Sequence, residues 1–181
     1  MPDRPESALA FFPPAAVAQV VNRWRRVYDP YVDTIEPHIT LVYPLNLTAE
    51  EWPAQRAAFT ACLEGFAPFP VEITRLNRFL SPGMVLWLEP EDGGQILRMY
   101  WKLQERFPAF IEPPVPPFTV VPHMTVGFFN SLEALETAQQ KIAAELTCLE
   151  FELNELVFGA QITQGKWGRV DGIKLVHIPP F

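Results

Sequence analysis

Apolar and polar positions alternate and cluster along the chain in a pattern that predicts short strands separated by amphipathic helices. Ala8–Phe12 reads as a short strand, and Pro14 to about Tyr28 as a helix with proline near its start. A strand follows at His38–Tyr43, entered through Pro37. Thr48, with Glu50 and Glu51 behind it, marks the start of a helix that runs to about Glu64 and stops at Gly65. Val71–Leu80 and Met84–Glu89 read as strands parted by the turn Ser81-Pro82-Gly83, and Gln95–Phe107 as a helix. Pro108 to Pro117 is too dense in proline for a helix interior or a central strand. Despite its PxxP spacing, it reads as a loop at the entrance of a cleft rather than a recognition peptide. Thr119–Phe129 is predicted as a strand and Ser131–Leu149 as a helix capped by Ser131. Phe151–Ile162 and Gly172–Ile178 are predicted as the last strands, around a turn at Gly165–Gly168.

The order strand, helix, strand, helix, strand thus occurs twice. Aligning His38-Ile39-Thr40-Leu41 with His123-Met124-Thr125-Val126 brings Cys62-Leu63-Glu64 within one residue of Cys148-Leu149-Glu150. Val71–Leu76 then matches Phe151–Leu156 once Gly65–Pro70 is taken as an insertion. The expectation is an α+β duplicated bilobal fold, one domain over 1–181. Its two pseudo-twofold-related antiparallel sheets would have outer helices and a central cleft. Lobe one would cover about 1–82 and lobe two about 83–181, with room for strands to be exchanged between them.

Each copy carries Pro-His-x-Thr followed by an aliphatic residue. Side chains alternate across a strand, so His38 and Thr40 share one face while Ile39 and Leu41 take the other. The same holds for His123 and Thr125 against Met124 and Val126. Two polar residues on one face build a poor core and a good cleft lining. A single His-x-Thr on a strand is commonplace; two copies at matching places in a duplicated unit point to function. A pseudo-twofold axis would set the two strands side by side and aim both histidines at one site. One imidazole can then take a proton while the other gives one. The threonine hydroxyls would donate hydrogen bonds to an anionic substrate oxygen. Such a kit suits phosphoryl transfer without a metal, and no cofactor is expected. Glu36 either orients His38 or is solvated.

Other residues read more plainly. His177 lacks a threonine partner and is read as structural or exposed. Tyr43 and Phe128, five residues after the histidines, fall on the core face by simple alternation unless a bulge turns them. Trp87, Trp101 and Trp167 read as core aromatics; Trp167 and Lys166, in a glycine-flanked turn, are the best placed of these regions for substrate contact.

Composition narrows the partners. The 181 residues are 49% hydrophobic and 19% charged, which excludes a disordered chain. A net charge of −7 and no basic run argue against gripping a long duplex, so a nucleic-acid substrate would be touched only at a short end. The densest basic spot, Arg23, Arg25 and Arg26, reads as a solvated helix face. Cys62 and Cys148 form no CxxC pattern and are expected to be buried free thiols. The apolar run Ala8–Val21 is broken by Pro13, Pro14 and Gln19, short of the roughly 18 residues a membrane span needs. The opening MPDRPES has no basic signal-like start, so a soluble cytoplasmic protein without membrane partner is expected.

At His38-Ile39-Thr40-Leu41 and His123-Met124-Thr125-Val126 the sequence resembles the two-histidine (2H) phosphoesterases, in their 2′-5′ RNA ligase-like and cyclic phosphodiesterase branch. In element order the resemblance runs from the strand at Ala8 to that at Phe151. It implies a metal-independent enzyme acting on 2′,3′-cyclic phosphates of nucleotides or short RNA ends, with His38 and His123 as acid and base. Thr40 and Thr125 would hold the phosphate, and the same site could run in reverse to join RNA ends through a 2′-5′ linkage. The expected partner is a small nucleotide or short RNA end, and the expected state a monomer. The alternative is a non-catalytic sensor that holds a cyclic or terminal phosphate in the same cleft. The retention of two histidines, where a binder would use arginine more effectively, weighs against it.

Overall fold

Val17, Val21 and Trp24 recur three and four residues apart and bury one face of the first helix, while Arg23 and Arg26 stay in water. The same logic runs through the computed structural model, which describes residues 7–116, 119–163 and 165–176. Its elements are β1 (Ser7–Phe11), α1 (Ala15–Tyr28), β2 (Ile39–Val42), α2 (Trp52–Leu63), β3 (Phe69–Phe79) and β4 (Met84–Glu91). They continue with α3 (Gln95–Arg106), β5 (Met124–Phe129), α4 (Leu132–Glu145), β6 (Leu149–Leu153), β7 (Glu155–Thr163) and β8 (Lys166–Lys174). Among the described residues, no helix is long and apolar enough to cross a membrane.

Two four-stranded antiparallel sheets result, in the orders β2-β1-β7-β8 and β5-β4-β3-β6. The α+β class and the duplication expected from the sequence are both visible in this topology. In each sheet a motif strand lies at the edge, beside the first strand of its own repeat. The third strand comes from the other repeat: β7 pairs with β1, and β3 pairs with β4. Helices are exchanged as well, α1 packing on β5 and α3 on β2. Reciprocal exchange joins the halves by whole strands and helices, which makes relative sliding costly.

Local chemistry explains the boundaries. Thr48 Oγ1 accepts from the Glu51 amide while Glu51 Oε2 accepts from the Thr48 amide, a reciprocal box one turn ahead of α2. Ser131 caps α4, its Oγ accepting from the Ala134 amide at 3.2 Å. Ser131→Ala is expected to lower unfolding stability by about 1 kcal/mol, read as a shift in urea midpoint at constant slope. The helix stops at Glu145, before the predicted Leu149.

Three predicted strands are corrected. Thr119–Phe129 shortens to β5, because Pro122 has no amide for a ladder. Phe151–Ile162 divides at Asn154 into β6 and β7, which belong to different sheets. The third repeat match therefore shifts, since the topological counterpart of β3 is β7. The final hairpin turns at Gly165, whose φ of 78° suits glycine, and Lys166–Gly168 already lie in β8. His177 and Ile178 lie outside the described residues.

The core fills the space between helices and sheets. Trp52 of α2 stacks on Phe158 of β7 at 4.3 Å, and Phe59 stacks on Phe107 at 4.0 Å. Trp87 is buried as expected, but Trp101 is exposed and meets Tyr100 edge-on. Cys62 is half-buried and Cys148 exposed beside Glu72 and Glu150, so the expectation of two buried thiols is corrected. The stretch 108–116 also departs from its predicted role. It packs away from the cleft, with Ile111 buried and the Phe110 carbonyl accepting from the Asn46 amide.

Candidate functional site

Both motif strands carry the same irregularity. Opposite β1 the register skips Leu41, because Ala10 pairs with Thr40 and Leu9 with Val42. Opposite β4 it skips Val126, because Trp87 pairs with Thr125 and Leu86 with Gly127. Each bulge lets two successive residues face the core, Leu41 and Val42 in one half and Val126 and Gly127 in the other. Everything beyond it is turned over. Tyr43 and Phe128 are consequently 53% and 41% exposed and line the cleft, which corrects the core reading from simple alternation. Gly127 suits its place, since a Cβ there would stand 2.6 Å from the Tyr28 Cβ of α1.

The two histidines stand immediately ahead of β2 and β5, strands that lie against one another. His38 Nδ1 donates to the Glu36 carbonyl at 2.8 Å, and His123 Nδ1 donates to the Val121 carbonyl at 2.7 Å. A carbonyl can only accept, so in each neutral ring the proton is on Nδ1 and Nε2 carries the lone pair. The role of Glu36 toward His38 is thus played by its backbone; its carboxylate instead pairs with Arg169 at 2.7 Å.

Burial pushes both histidines below the ordinary imidazole value. For His38 the Glu36 carbonyl pulls back upward, the positive charges of Arg25 and His123 press further down, and Asp29 opposes them. For His123 the Val121 carbonyl is the counterweight. Their surroundings differ: His38 tilts against Phe12 at 5.9 Å, whereas His123 is caged by Phe79 at 5.1 Å and Trp87 at 5.8 Å.

A cavity of about 570 Å³ opens over this ground, with His38, Thr40 and Thr125 in its lining. His123 stands two residues before Thr125 and within electrostatic reach of His38. Trp167 lines the cavity as a half-buried ring, edge-on to Tyr43 at 5.9 Å, while Lys166 is exposed outside the lining.

Sequence reasoning missed two arginines. Arg25, read as part of a solvated face, is 2% exposed and borders the cavity. Its Nε pairs with Asp29 at 2.7 Å, and its guanidinium also donates to Asn22 Oδ1 and to the Ile35 carbonyl. It thereby staples the 29–37 loop, which carries the Glu36 carbonyl, to α1. The Asp29 four residues on, one helical turn away, was the signal that could have found it. Arg169 of β8 reaches over the Phe12 ring at 4.0 Å and lines the cavity, so the cleft holds cations although the sequence has no basic run. No local pattern marks it, because it arrives from the far end of the chain.

The comparisons agree with this architecture. The sequence model of the 2′-5′ RNA ligase superfamily matches residues 12–162. A Geobacillus kaustophilus protein named "Putative phosphoesterase" is 26% identical over 161 residues, 88% of this chain and 90% of its own. A Halalkalibacterium halodurans protein of the same name is 24% identical over 167 residues, 92% of this chain and 95% of its own. Among solved structures, TT0787 of Thermus thermophilus has a TM-score of 0.65 at 18% identity, covering 94% of this chain and 97% of that one. LigT of E. coli complexed with 3′-AMP has a TM-score of 0.62 at 15% identity, covering 96% and 100%. The structural likenesses show a shared fold, and the family match spans most of the chain. With paired His-x-Thr strands on exchanged halves, this chain belongs to the 2′-5′ RNA ligase superfamily.

Proposed function

We propose that the protein is a metal-independent phosphodiesterase that opens 2′,3′-cyclic phosphates of nucleotides or short RNA ends. The observation that carries this reading is the matched presentation of His38 and His123. Each is held through Nδ1 by a carbonyl two residues back, which leaves Nε2 available for proton transfer. In hydrolysis one neutral Nε2 takes a proton from water as the oxygen attacks phosphorus. The other histidine, protonated, gives its proton to the ribose oxygen that departs, and Thr40 and Thr125 donate hydrogen bonds to the non-bridging oxygens. Proton count balances over one turnover, since one histidine gains what the other loses. With a ribose 5′-hydroxyl in the place of water, the same ring opening yields a 2′-5′ linkage when the 3′ oxygen leaves. That LigT of the same fold is described in complex with 3′-AMP supports a nucleotide-sized ligand.

The test is product analysis with chelator present, using 2′,3′-cyclic nucleotides and short RNA ending in a cyclic phosphate. Turnover that needs both histidines supports the reading. Saturable binding without turnover would replace it with the phosphate-sensor reading.

The acidity of the pair sets the expected pH dependence. Catalysis needs one imidazole neutral and one protonated. Both are pushed below the usual value near 6.5, so at neutral pH the state with one proton in the pair is a minority. Lowering the pH populates it until both rings are charged. A bell in kcat/KM with its maximum on the acid side of 6.5 is therefore expected, and a plateau extending above pH 7.5 would contradict it.

A further inference from the structure

The two histidines belong to different repeats, yet both must meet one phosphate at a fixed separation. That separation is set through α1. The helix packs on β5, the strand that begins right after His123, closely enough that a Cβ on Gly127 would stand 2.6 Å from the Tyr28 Cβ. The chain leaving α1 is the 29–37 loop, which delivers His38. Slack in that loop would therefore move one histidine against the other.

Arg25 takes up the slack. Its Nε donates to Asp29 Oδ2 at 2.7 Å and its Nη1 to Asn22 Oδ1 at 3.2 Å. Nη2 crosses to the loop, donating to the Tyr31 carbonyl at 3.4 Å and to the Ile35 carbonyl at 2.8 Å. Ile35 directly precedes Glu36, whose carbonyl holds His38 Nδ1. Asp29 completes the frame, its Oδ1 accepting from the Tyr31 amide at 2.8 Å. Both charged side chains are buried, whereas the outer tie of the same loop, Glu36 to Arg169, is exposed at both ends. An exposed pair contributes little, so the buried fork holds the loop. A guanidinium offers five N–H donors, and this one makes four bonds within helix and loop. Although it borders the cavity, too few donors remain for a bidentate grip on a phosphate. His123 takes its own grip from the Val121 carbonyl, in a separate stretch of chain.

We propose that Arg25 is a positioning residue, whose planar fork fixes the Glu36 carbonyl and through it the ring of His38 relative to β5 and His123. This deepens the reading above, and rests on it only in that His38 is one of the proton-transfer pair. Lysine would keep the charge beside Asp29, but a single ammonium cannot reproduce the planar fork that also reaches Asn22 and the Ile35 carbonyl.

Arg25→Lys is compared with wild type and with Arg26→Ala, a change at the exposed neighbour on the same helix. Two readouts are taken: kcat and KM with 2′,3′-cyclic AMP, and long-range proton–nitrogen spectra of the imidazoles above pH 8. In wild type both rings are expected as the Nδ1–H tautomer. Arg25→Lys is expected to move His38 toward mixed tautomers and to leave His123 unchanged. It should lower kcat on the order of ten-fold with KM within about two-fold, because small misplacements of a reacting group are costly in rate. Arg26→Ala should alter neither readout. Arg25→Met combined with Asp29→Asn buries no unpaired charge and keeps an acceptor for the Tyr31 amide, so it decides the matter if Arg25→Lys does not fold. His38 unmoved in a folded variant, both histidines moved alike, or an unchanged kcat in the active enzyme, whatever happens to KM, would overturn the proposal. So would a wild-type His38 already averaged between tautomers. A shift at His38 alone, in a protein that turns over no cyclic phosphate, leaves the positioning intact and removes the phosphodiesterase reading.

Discussion

His38→Ala and His123→Ala are each expected to lower kcat/KM for a 2′,3′-cyclic nucleotide by on the order of 10²-fold or more, through loss of one proton-transfer partner. The size of the loss follows from the geometry. Each ring is oriented by a carbonyl that belongs to the local backbone, so the remaining histidine keeps its position when its partner is removed. What disappears is one of two transfers that must occur in the same turnover. The double variant should therefore lose little more than the worse of the two singles, because the pair acts as a unit. Folding is a fair control here: both side chains are half-buried and outside the core, and the far-ultraviolet spectrum and melting midpoint should change little. Near-full activity in either single variant would sink the two-histidine mechanism. The losses should also differ in pH profile. Removing His38 leaves a limb set by the burial of His123 beside Phe79 and Trp87, whereas removing His123 leaves a ring that burial lowers, with Arg25 adding to it and the Glu36 carbonyl and Asp29 opposing.

The largest expected effect on stability is at Phe59. Its ring is fully buried in α2, stacks on Phe107 at 4.0 Å and an interplanar angle of 5°, and also meets Trp52 and Phe110. It thereby joins α2, the end of α3 and the start of the proline-dense stretch. Phe59→Ala removes a six-carbon ring from a site whose neighbours belong to separate segments and close in poorly. A loss of about 3–5 kcal/mol is expected, comprising lost transfer energy and a residual cavity. Chemical denaturation with an unchanged slope would read it directly. A change under 1 kcal/mol would mean that the stack is not a structural junction. Since α2 follows β2 and supports the first sheet, activity should fall near the lowered melting midpoint while remaining close to normal in the cold.

The chain announced its own duplication, because repeated side-chain types survive at repeated positions. His38-Ile39-Thr40-Leu41 and His123-Met124-Thr125-Val126 could be aligned by eye, and with them the α+β class and the residues proposed as acid, base and phosphate donors. Helix limits were legible wherever local chemistry sets them, as at Ser131 and at Thr48 with Glu51. Strand limits were less so at Asn154, where apolar spacing runs on but the chain leaves one sheet for the other. Pairing across distant strands is a matter of register, and no periodicity in one strand encodes its partner's. The bulges at Leu41 and Val126 belong to the same class. Each is one unpaired residue against a neighbouring strand, and each carries Tyr43 or Phe128 from the core side to the cleft. Arg25 looked solvated because sequence counts charges without locating the Asp29 carboxylate and the loop carbonyls that make burial tolerable. Sequence alone determined which residues could do the chemistry; only tertiary pairing decided which surfaces face them, because the face a side chain takes depends on a partner strand far away along the chain.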